Sequence, residues 1–369
     1  MWRDKHITFL SESESSEKEI LQLLNDSKKT IKNSDDKIIL DKIINNFEEN
    51  DFSILSEIES NFFKRNSKSK WVEYLIHRSK FYFYENNHEM PDFPLYLILE
   101  PVSSCNLRCP FCMQVDENFT NDPKMMGMME FELFKKIIDE AYDSGTRAIT
   151  FTGRGEPTLH PQLGEMLEYC QDKFIEIKMN TNATMLNEKL IHKILKSKIT
   201  DLVFSVDSYY KEEFESLRIN ANFEKVVANV TEFKRIKEEY YPNSACVTRV
   251  SGVQASETQD IKKFQSFWKP LVDFVVYVKM IDKWDLYKNS KDMMANSPCH
   301  YLGRNLSIYF DGSTNPCDVD YLGGLTLGNL KNNTIREIWN GEKYKKLFSS
   351  HKKNSRNEYF PCDRCPIGT

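Results

Sequence analysis

The sequence predicts an α/β protein built around a partial (β/α)6 barrel, and two observations support this prediction. From residue 92 onward, short apolar runs alternate with amphipathic helical stretches, which is typical of a parallel sheet with helices outside it. Six such runs occur, at residues 95–100, 147–153, 175–181, 201–207, 245–253 and 273–280. Because six strands are fewer than the eight that close a full barrel, we expect an open or partial one.

Three regions are predicted along the chain. Residues 1–91 are expected to be a helical N-terminal region, because "IILDKIINNF" and "FSILSEIESNFF" repeat apolar residues at helical spacing. Residues 92–290 hold the predicted barrel. Residues 291–369 are loop-rich, with a hairpin predicted at Asp311-Gly312 and a helix predicted in "TIREIWNGEKYKKLFSSHKK".

Composition narrows the class of protein. The net charge of -5 gives no electrostatic case for nucleic acid as a partner. The N-terminus lacks the apolar stretch of a signal peptide, and no run approaches the roughly 20 apolar residues that span a membrane. We therefore expect a cytoplasmic protein without a membrane partner. Nine cysteines in such a protein indicate metal or redox chemistry, since disulfides are rare in the cytosol.

The segment "SSCNLRCPFCMQ" places Cys105, Cys109 and Cys112 on one loop directly after the first predicted strand. Clustered thiolates select zinc or iron–sulfur centres. A structural zinc site is normally closed by four ligands, whereas three thiolates can hold a [4Fe–4S] cluster and leave its fourth iron free. Zinc stays the alternative on spacing alone.

The pattern Cys-x3-Cys-x2-Cys, with Phe111 before the last cysteine, resembles the radical S-adenosylmethionine (radical SAM) superfamily. In that superfamily the free iron binds the amino and carboxylate groups of SAM. An electron from the cluster then releases a 5′-deoxyadenosyl radical, which abstracts hydrogen from a substrate. The resemblance implies SAM and a [4Fe–4S] cluster as cofactors, and a reduced flavodoxin or ferredoxin as electron donor.

Three strand-end segments resemble the parts of this superfamily that contact SAM. "TGRGEP" resembles its Gly-Gly-Glu motif, with Arg154 where glycine is common, while "MNTNA" and "FSVDS" resemble segments near the ribose. The resemblance implies cofactor contacts from Phe111, Gly153, Gly155, Glu156, Asn180, Asn182, Ser205 and Asp207, and makes Arg218 and Arg249 candidates for the cofactor carboxylate. The alternatives are turn-capping asparagines and serines, and arginines in structural salt bridges.

A second cysteine set comprises Cys299, Cys317, Cys362 and Cys365. Gly312-x4-Cys317 followed by Cys-x2-Cys resembles the auxiliary-cluster domains called SPASM and twitch. Four cysteines imply one auxiliary [4Fe–4S] cluster, fully ligated by protein and suited to electron transfer. A zinc ribbon is the alternative, although Cys299 and Cys317 lack the close spacing of a zinc knuckle. The remaining Cys170 and Cys246 are left over, and alternation along its strand predicts that Cys246 faces the helices if Arg249 faces inward.

Within the superfamily, the pattern resembles the 2-deoxy-scyllo-inosamine dehydrogenases and radical SAM proteins of polysaccharide pathways. This implies oxidation of a sugar, aminocyclitol or nucleotide-sugar alcohol, with electron transfer to the auxiliary cluster. The alternatives are a peptide-modifying (RiPP-type) SPASM maturase, a redox-neutral sugar epimerase or dehydratase, and a zinc-stabilised binding module. The catalytic base is not identified: Asp318 and Asp320 are candidates, and Lys279 and Lys283 are weaker ones.

Overall fold

The computed structural model describes residues 14–87, 89–280 and 286–368. The chain divides into two compact units, Met1–Glu89 and Met90–Thr369.

The first unit is helical in all its described elements. Its helices are α1 (Glu14–Ser27), α2 (Ser34–Glu48), α3 (Glu57–Arg65) and α4 (Trp71–Asn87). The apolar stripe predicted in "IILDKIINNF" is buried on α2 through Ile39, Leu40, Ile43, Ile44 and Phe47. Asn33 caps this helix, because its side chain accepts a hydrogen bond from the backbone N–H of Asp36. No strand occurs among residues 14–87.

The second predicted helical stretch begins later than expected. Ile54 and Leu55 precede α3, which starts at Glu57. Ser56 and Glu59 form a capping box, in which each side chain bonds the backbone of the other, and this fixes the start of the helix.

A nine-stranded sheet forms the centre of the second unit. Its strands are β1 (Tyr96–Leu99), β2 (Ala148–Phe151), β3 (Glu176–Thr181), β4 (Asp201–Ser205), β5 (Val247–Gln254), β6 (Phe274–Lys279), β7 (Asn305–Ile308), β8 (Ser313–Asn315) and β9 (Gly328–Asn329). Their spatial order is β6-β5-β4-β3-β2-β1-β7-β8-β9, parallel from β6 to β7. All six predicted strands are present and the sheet is open, so the predicted α/β partial barrel is confirmed.

The sequence prediction missed a seventh parallel strand. β7 forms the predicted hairpin with β8, turning where Gly312 has a φ of 84°, a conformation that favours glycine. On its other edge, however, β7 pairs in parallel with β1, with Tyr96 opposite Asn305 and Leu99 opposite Ile308. The cysteine-rich C-terminal region therefore supplies a strand to the barrel sheet.

Helices cover the outer face of the sheet. The helices of this unit are α5 (Glu117–Thr120), α6 (Phe131–Asp143), α7 (Leu163–Cys170), α8 (Glu188–Lys196), α9 (Lys211–Leu217), α10 (Phe223–Tyr240), α11 (Ile261–Trp268), α12 (Ile335–Trp339) and α13 (Glu342–Lys352). The single helix predicted in residues 334–353 is wrong, because Gly341 adopts an extended conformation and separates α12 from α13. Glycine is a poor helix former, which accounts for the break.

Side chains alternate between the two faces of each strand. On β3, Ile177 and Met179 pack in the apolar core with the helices, so Lys178 and Asn180 lie on the opposite face, which we call the inner face. The same alternation places polar side chains from other strands on the inner face. These are Tyr96, Thr150, Ser205, Arg249, Asn305 and Ser307.

Candidate functional site: two cysteine sets on one sheet

The first cysteine loop leaves the carboxyl end of β1. The N–H of Cys112 donates to the carbonyl of Cys109 at 3.1 Å, so these two residues share one tight turn. Burial raises the pKa of Cys105 to about 12, and the neighbouring Cys112 and Cys109 add to the rise. The three thiols therefore lie close enough to influence one another. A metal centre that binds these groups as thiolates would offset the cost of deprotonating them.

The glycine loop after β2 packs directly against the cysteine loop. A Cβ added at Gly155 would lie 2.3 Å from the carbonyl oxygen of Val102 and 2.4 Å from that of Ser104. The N–H of Glu156 donates to the carbonyl of Ser104 at 3.0 Å. Gly153 has a φ of 145° and also lacks room for a side chain, because an added Cβ would lie 2.8 Å from that of Glu100. At both glycines the absence of a side chain therefore allows close packing within the protein itself.

The carboxylate of Glu156 joins the β2 loop to the end of β3. Its Oε1 accepts from the N–H and hydroxyl of Thr158 at 3.1 and 2.6 Å and from the hydroxyl of Thr181 at 2.7 Å. Its Oε2 accepts from the N–H of Asn182 at 2.7 Å and from no other group in the described part of the chain. Burial raises the pKa of Glu156, although these hydrogen bonds oppose the rise. Oε2 keeps capacity for a further donor, which fits an ammonium group.

The two asparagines of "MNTNA" hold different positions. Nδ2 of Asn182 donates to Oδ1 of Asn106 at 3.0 Å and lies 3.8 Å from the sulfur of Cys105. Its Oδ1 accepts from Thr184, so the residue caps the local turn as well. Nδ2 of Asn180 donates to the hydroxyl of Thr152 at 3.3 Å. The structure places Asn182 beside the cysteine loop and Asn180 on the inner face below it.

Asp207 and Arg218 form a buried ion pair beside the first cysteine loop. Nε of Arg218 donates to Oδ2 of Asp207 at 2.5 Å, and Asp207 also accepts from the N–H of Val253 at 2.9 Å. The guanidinium lies 5.9 Å from the ring centroid of Phe111. Burial raises the pKa of Cys109, and the positive charge of Arg218 opposes this rise. Arg218 therefore lies beside the first cysteine loop, where it is a candidate for the cofactor carboxylate. It also forms a structural salt bridge, which was the alternative.

Lys178 is an inner-face residue that sequence reasoning missed. Burial lowers its pKa to about 8, and the nearby charge of Arg249 on β5 adds to this. Its ammonium makes no hydrogen bond or ion pair with any residue that the structure describes. A lysine at an inward position of the alternating run "IEIKMNT" was the available signal. Arg249 and Ser205 are half-buried on the same face.

The second cysteine set lines one small cavity. Its walls include Cys299, Cys317, Cys362 and Cys365, together with apolar side chains such as Leu286, Val319 and Ile367. Burial raises the pKa of Cys362 to about 12 and also raises the pKa values of Cys299 and Cys317. The four thiols converge, as a shared centre requires.

Both sets suit centres bound by thiolates. Three cysteines share the first loop, and four cysteines line one cavity in the second region. In a [4Fe–4S] cluster each cysteine binds a different iron, so three thiolates leave one iron open and four leave none. The residues present therefore fit [4Fe–4S] clusters.

Arg154 connects the two cysteine regions. Its guanidinium pairs with Glu100, and Nη1 donates to the carbonyl of Tyr321 at 3.1 Å. The guanidinium carbon also lies 3.7 Å from the ring centroid of Tyr309. The carbonyl of Arg154 accepts from Nε2 of Gln114, two residues after Cys112, at 2.6 Å. Sequence reasoning missed Glu100 and Gln114; the single acid ending the apolar run "LYLILE" was the available signal for Glu100.

Asp320, one candidate base, caps a turn. Its Oδ2 accepts from the N–H of Leu325 at 2.7 Å and from Nδ2 of Asn315 at 3.1 Å. Its Oδ1 accepts from the N–H of Gly324 at 3.0 Å and from the hydroxyl of Tyr287. Asp320 is fully buried and both of its carboxylate oxygens accept hydrogen bonds within the turn, so it acts as a turn cap.

Asp318, the other candidate, is close to the inner face. Burial is the largest cause of the raised pKa values of Tyr96 and Tyr301, and the charge of Asp318 raises both further. Oδ1 of Asp318 has no hydrogen-bond partner in the described part of the chain. Lys279 is exposed at the end of β6, and Lys283 lies outside the described residues.

The two leftover cysteines are buried. Cys170 and Cys246 are both 0% exposed and pack in the apolar core with the helices, as predicted for Cys246. Neither lies on the inner face.

Comparison with known proteins decides the family. A model of the radical SAM superfamily matches residues 99–252, and a model of the SPASM iron–sulfur cluster-binding domain matches residues 299–366. It is a radical SAM protein with a SPASM domain. The resemblance inferred from the cysteine motifs is thereby confirmed.

One curated relative and two solved structures are similar to this chain over most of its length. A cysteine-type anaerobic sulfatase-maturating enzyme from Clostridium novyi is 24% identical over 332 residues, covering 73% of this chain and 85% of that protein. SuiB of Streptococcus suis, solved with bound S-adenosylmethionine, has a TM-score of 0.55 at 16% identity and covers 92% of this chain and 89% of SuiB. BtrN, solved with AdoMet and 2-DOIA, has a TM-score of 0.49 at 16% identity and covers 74% of this chain and 92% of BtrN.

Two curated relatives are more similar over shorter stretches. This chain is 32% identical to the first over 113 residues and 32% identical to the second over 134 residues. The chain spans only 30% of the length of the first relative and 28% of the length of the second.

The radical SAM and SPASM domains imply SAM and two [4Fe–4S] clusters as cofactors of this enzyme. None of the helices in the described ranges has the length and apolar character needed to cross a membrane.

Proposed function

We propose that this radical SAM enzyme is an oxidoreductase that converts a carbinol group of a sugar-like substrate to a ketone. One observation supports the substrate class: several buried polar atoms on or near the inner face have no hydrogen-bond partner among the residues that the structure describes. Both side-chain atoms of Asn305, which is 0% exposed, and Oγ of Ser307, which is 1% exposed, lack hydrogen-bond partners among the described residues. Oδ1 of Asn180 and Oδ1 of Asp318 also lack partners in that part of the chain.

A ligand bound at the inner face can satisfy such groups. Leaving a buried donor or acceptor unpaired costs about 1–3 kcal/mol. Hydroxyl groups both donate and accept, so a polyhydroxylated molecule can pair with amide, hydroxyl and carboxylate groups together. The inner face therefore suits a sugar, aminocyclitol or nucleotide-linked sugar.

The first site is proposed to hold SAM and its cluster. When bound, these groups supply the chemistry that removes hydrogen from the substrate carbon. Cys105, Cys109 and Cys112 are the proposed ligands of the first cluster. Oε2 of Glu156 would accept the cofactor ammonium, and Arg218, beside Cys109, would bind the cofactor carboxylate.

Other residues of the first site shape it. Gly153 and Gly155 allow the glycine loop to reach the cysteine loop, and Phe111 lies against Arg218. Asn182 and Ser205 are proposed to line the ribose side, with Asp207 holding Arg218 in place.

The second site is proposed to accept the substrate electron. Cys299, Cys317, Cys362 and Cys365 are its proposed ligands, and together they leave no iron open for substrate. A reduced flavodoxin or ferredoxin is the proposed donor for the first cluster.

Lys178 is proposed to take the proton of the substrate hydroxyl. It lies on the inner face of β3, two residues before Asn180, and Asp318 contributes to its electrostatic environment. A pKa of about 8 provides a neutral amine close to neutral pH, which general base catalysis requires.

A peptide-modifying maturase is the second candidate function. The sulfatase-maturating relative and SuiB, also solved bound to the precursor peptide SuiA, favour it. Many such maturases bind a leader peptide with a winged-helix sheet, and residues 14–87 contain helices without a strand.

A redox-neutral epimerase receives less support. Such enzymes commonly donate hydrogen to the substrate radical from a cysteine. Cys170 and Cys246, the cysteines outside both sets, are buried in the core away from the inner face.

The test begins with iron and sulfide analysis of the anaerobically reconstituted chain. About eight of each per chain indicates two [4Fe–4S] clusters. The enzyme is then incubated with dithionite, SAM and deuterated inositols, hexoses or nucleotide sugars. We expect deuterium in 5′-deoxyadenosine and formation of the matching ketone.

Two variants sharpen this test. N305L/S307A is expected to raise the KM for the oxidised compound at least tenfold, whereas N332L, at an exposed asparagine, serves as the matched control. Turnover with a cysteine-containing peptide, and with none of the hydroxylated compounds, would instead establish the maturase function.

A further inference from the structure

Arg356 is a buried cation without a carboxylate partner. Its side chain is held by three carbonyls: Nη1 donates to Ser297 at 2.9 Å and to Ile367 at 2.8 Å, and Nη2 donates to Cys365 at 3.3 Å. The residue is 3% exposed and forms no ion pair with any acid in the described ranges. A buried charge is costly unless an opposite charge compensates it. Asp320 lines the same cavity, but its carboxylate accepts hydrogen bonds from Tyr287, Asn315, Gly324 and Leu325. A further anion in the cavity would therefore offset the charge of Arg356.

The centre that the four cysteines would hold can supply this negative charge. Arg356 lines the same cavity as all four thiols. Its Nε finds no hydrogen-bond partner among the described residues, so one N–H donor is left for the contents of the cavity.

His351 lines this cavity from α13. It is 3% exposed, and neither ring nitrogen has a hydrogen-bond partner in the described part of the chain. A neutral imidazole carries one N–H donor. A buried imidazole beside four thiols therefore has a donor available for sulfur.

We propose that Arg356 and His351 are positioning residues that set the reduction potential of the auxiliary cluster. A cluster bound by four thiolates is an anion that becomes more negative when it is reduced. A neighbouring cation and N–H donors to sulfur stabilise the reduced form, and both therefore raise the potential. This inference deepens the proposed function, since a raised potential helps the cluster accept an electron from the substrate.

The electron balance of that step is simple. The substrate radical, formed by loss of the carbon-bound hydrogen, loses its hydroxyl proton to a base and one electron to the oxidised auxiliary cluster. The product is a ketone, and the cluster is reduced by one electron.

The experiment is a redox titration followed by EPR on the full-length chain. C105A/C109A/C112A removes the first set, so that only the auxiliary cluster contributes. In this background, R356Q is expected to shift the ratio of oxidised to reduced cluster about tenfold toward oxidised at a fixed potential, about 59 mV for a one-electron couple. R356K keeps the charge and is expected to restore most of this shift. K352Q removes a charge from an exposed position and is the matched control.

H351L provides an independent test, because it leaves the carbonyl contacts of Arg356 in place. We expect a shift in the same direction and smaller in size. If R356Q loses its iron, H351L decides the question. A potential equal to that of the parent in every variant that retains four irons overturns the inference.

The outcome is independent of the substrate. A shifted potential in a protein that oxidises no hydroxylated compound would uphold the tuning role and refute the proposed oxidation. Ketone formation with unchanged potentials would support the proposed oxidation and refute the tuning role.

Discussion

Arg154 and Glu100 form a buried, two-pronged ion pair. Nε of Arg154 donates to Oε2 of Glu100 at 2.7 Å, and Nη2 donates to Oε1 at 2.6 Å. The side chains are 3% and 1% exposed. Because Glu100 follows β1 and Arg154 follows β2, the pair fixes the two loops that carry the first cysteines and Glu156.

Breaking this pair is expected to be costly. R154M leaves the Glu100 carboxylate buried and uncompensated, so the free energy of unfolding should fall by about 3–5 kcal/mol. Urea denaturation of the cluster-free chain measures this. K193M breaks the exposed pair of Lys193 with Glu165 and should change stability by less than about 1 kcal/mol. Equal losses in the two variants would contradict the role given to Arg154.

Gly155 is expected to tolerate no side chain. In G155A the added methyl group meets the carbonyls of Val102 and Ser104, which forces the glycine loop away from the cysteine loop. We expect iron content to fall from about eight to about four per chain, with the auxiliary cluster retained.

The G145A variant is the control for G155A, because it introduces backbone strain without a steric clash. Gly145 also has a positive φ, of 96°, but no atom lies within 4 Å of an added Cβ. The expected result is a stability loss of about 1 kcal/mol with full iron content. A G155A protein that also keeps eight irons would show that the contact between the two loops is dispensable.

The cysteines are expected to separate into two ligand sets and two core residues. C362S/C365S should retain about four irons per chain, because only the auxiliary cluster is lost. C170S and C246S should retain about eight, since both residues pack in the apolar core. Iron and sulfide analysis after reconstitution measures each. Loss of a cluster in C246S would place that residue in a site.

Lys178 is expected to make stability depend on pH. Burial lowers its pKa from 10.5 to about 8, so between these values the unfolded chain binds more protons at this group. The free energy of unfolding should therefore rise with pH through this window. K178M removes the penalty, so it should raise the melting temperature at pH 7, with a gain that shrinks toward pH 10.

K189M, at an exposed lysine, is the matched control for loss of a lysine side chain. The same melting curve change in both variants would argue against a buried amine at position 178.

Lys178 is also expected to shape the pH profile of turnover. The neutral amine accepts a proton, so ketone formation should rise with pH up to about 8 and then level off. K178M should slow ketone formation by about 100-fold or more. Deuterium transfer into 5′-deoxyadenosine, measured in parallel, separates loss of proton transfer from loss of substrate binding. An unchanged profile in K178M would assign the proton to another group.

The sequence predicted the six main strands because each is a short apolar run between turn signals. It did not predict that β7 pairs with β1, since 209 residues separate Tyr96 from its partner Asn305 and local patterns do not report such pairing. The predicted helix of residues 334–353 was wrong because apolar spacing continues across Gly341, where the backbone is extended.

The parts of the candidate site that depend on the spacing of residues along the chain were predicted from the sequence. The cysteine sets and the glycine loop are sequence motifs, and the structure brings each set together. The pairing of Arg154 with Glu100 and the lowered pKa of Lys178 depend on the fold, whereas the sequence marked only the positions of Glu100 and Lys178. Asp320 was a candidate base because it follows Cys317 closely, whereas its contacts make it a turn cap.

The parallel pairing of β7 with β1 has a consequence for dissection of the chain. Removing the C-terminal region would strip β1 of one neighbour and uncover the backbone edge of Leu97, Ile98 and Leu99, all buried in the intact protein. Such an apolar, unpaired edge recruits strands from other molecules. A barrel truncated before β7 would thus aggregate. The barrel and the C-terminal region therefore form one folding unit and cannot be exchanged as separate modules.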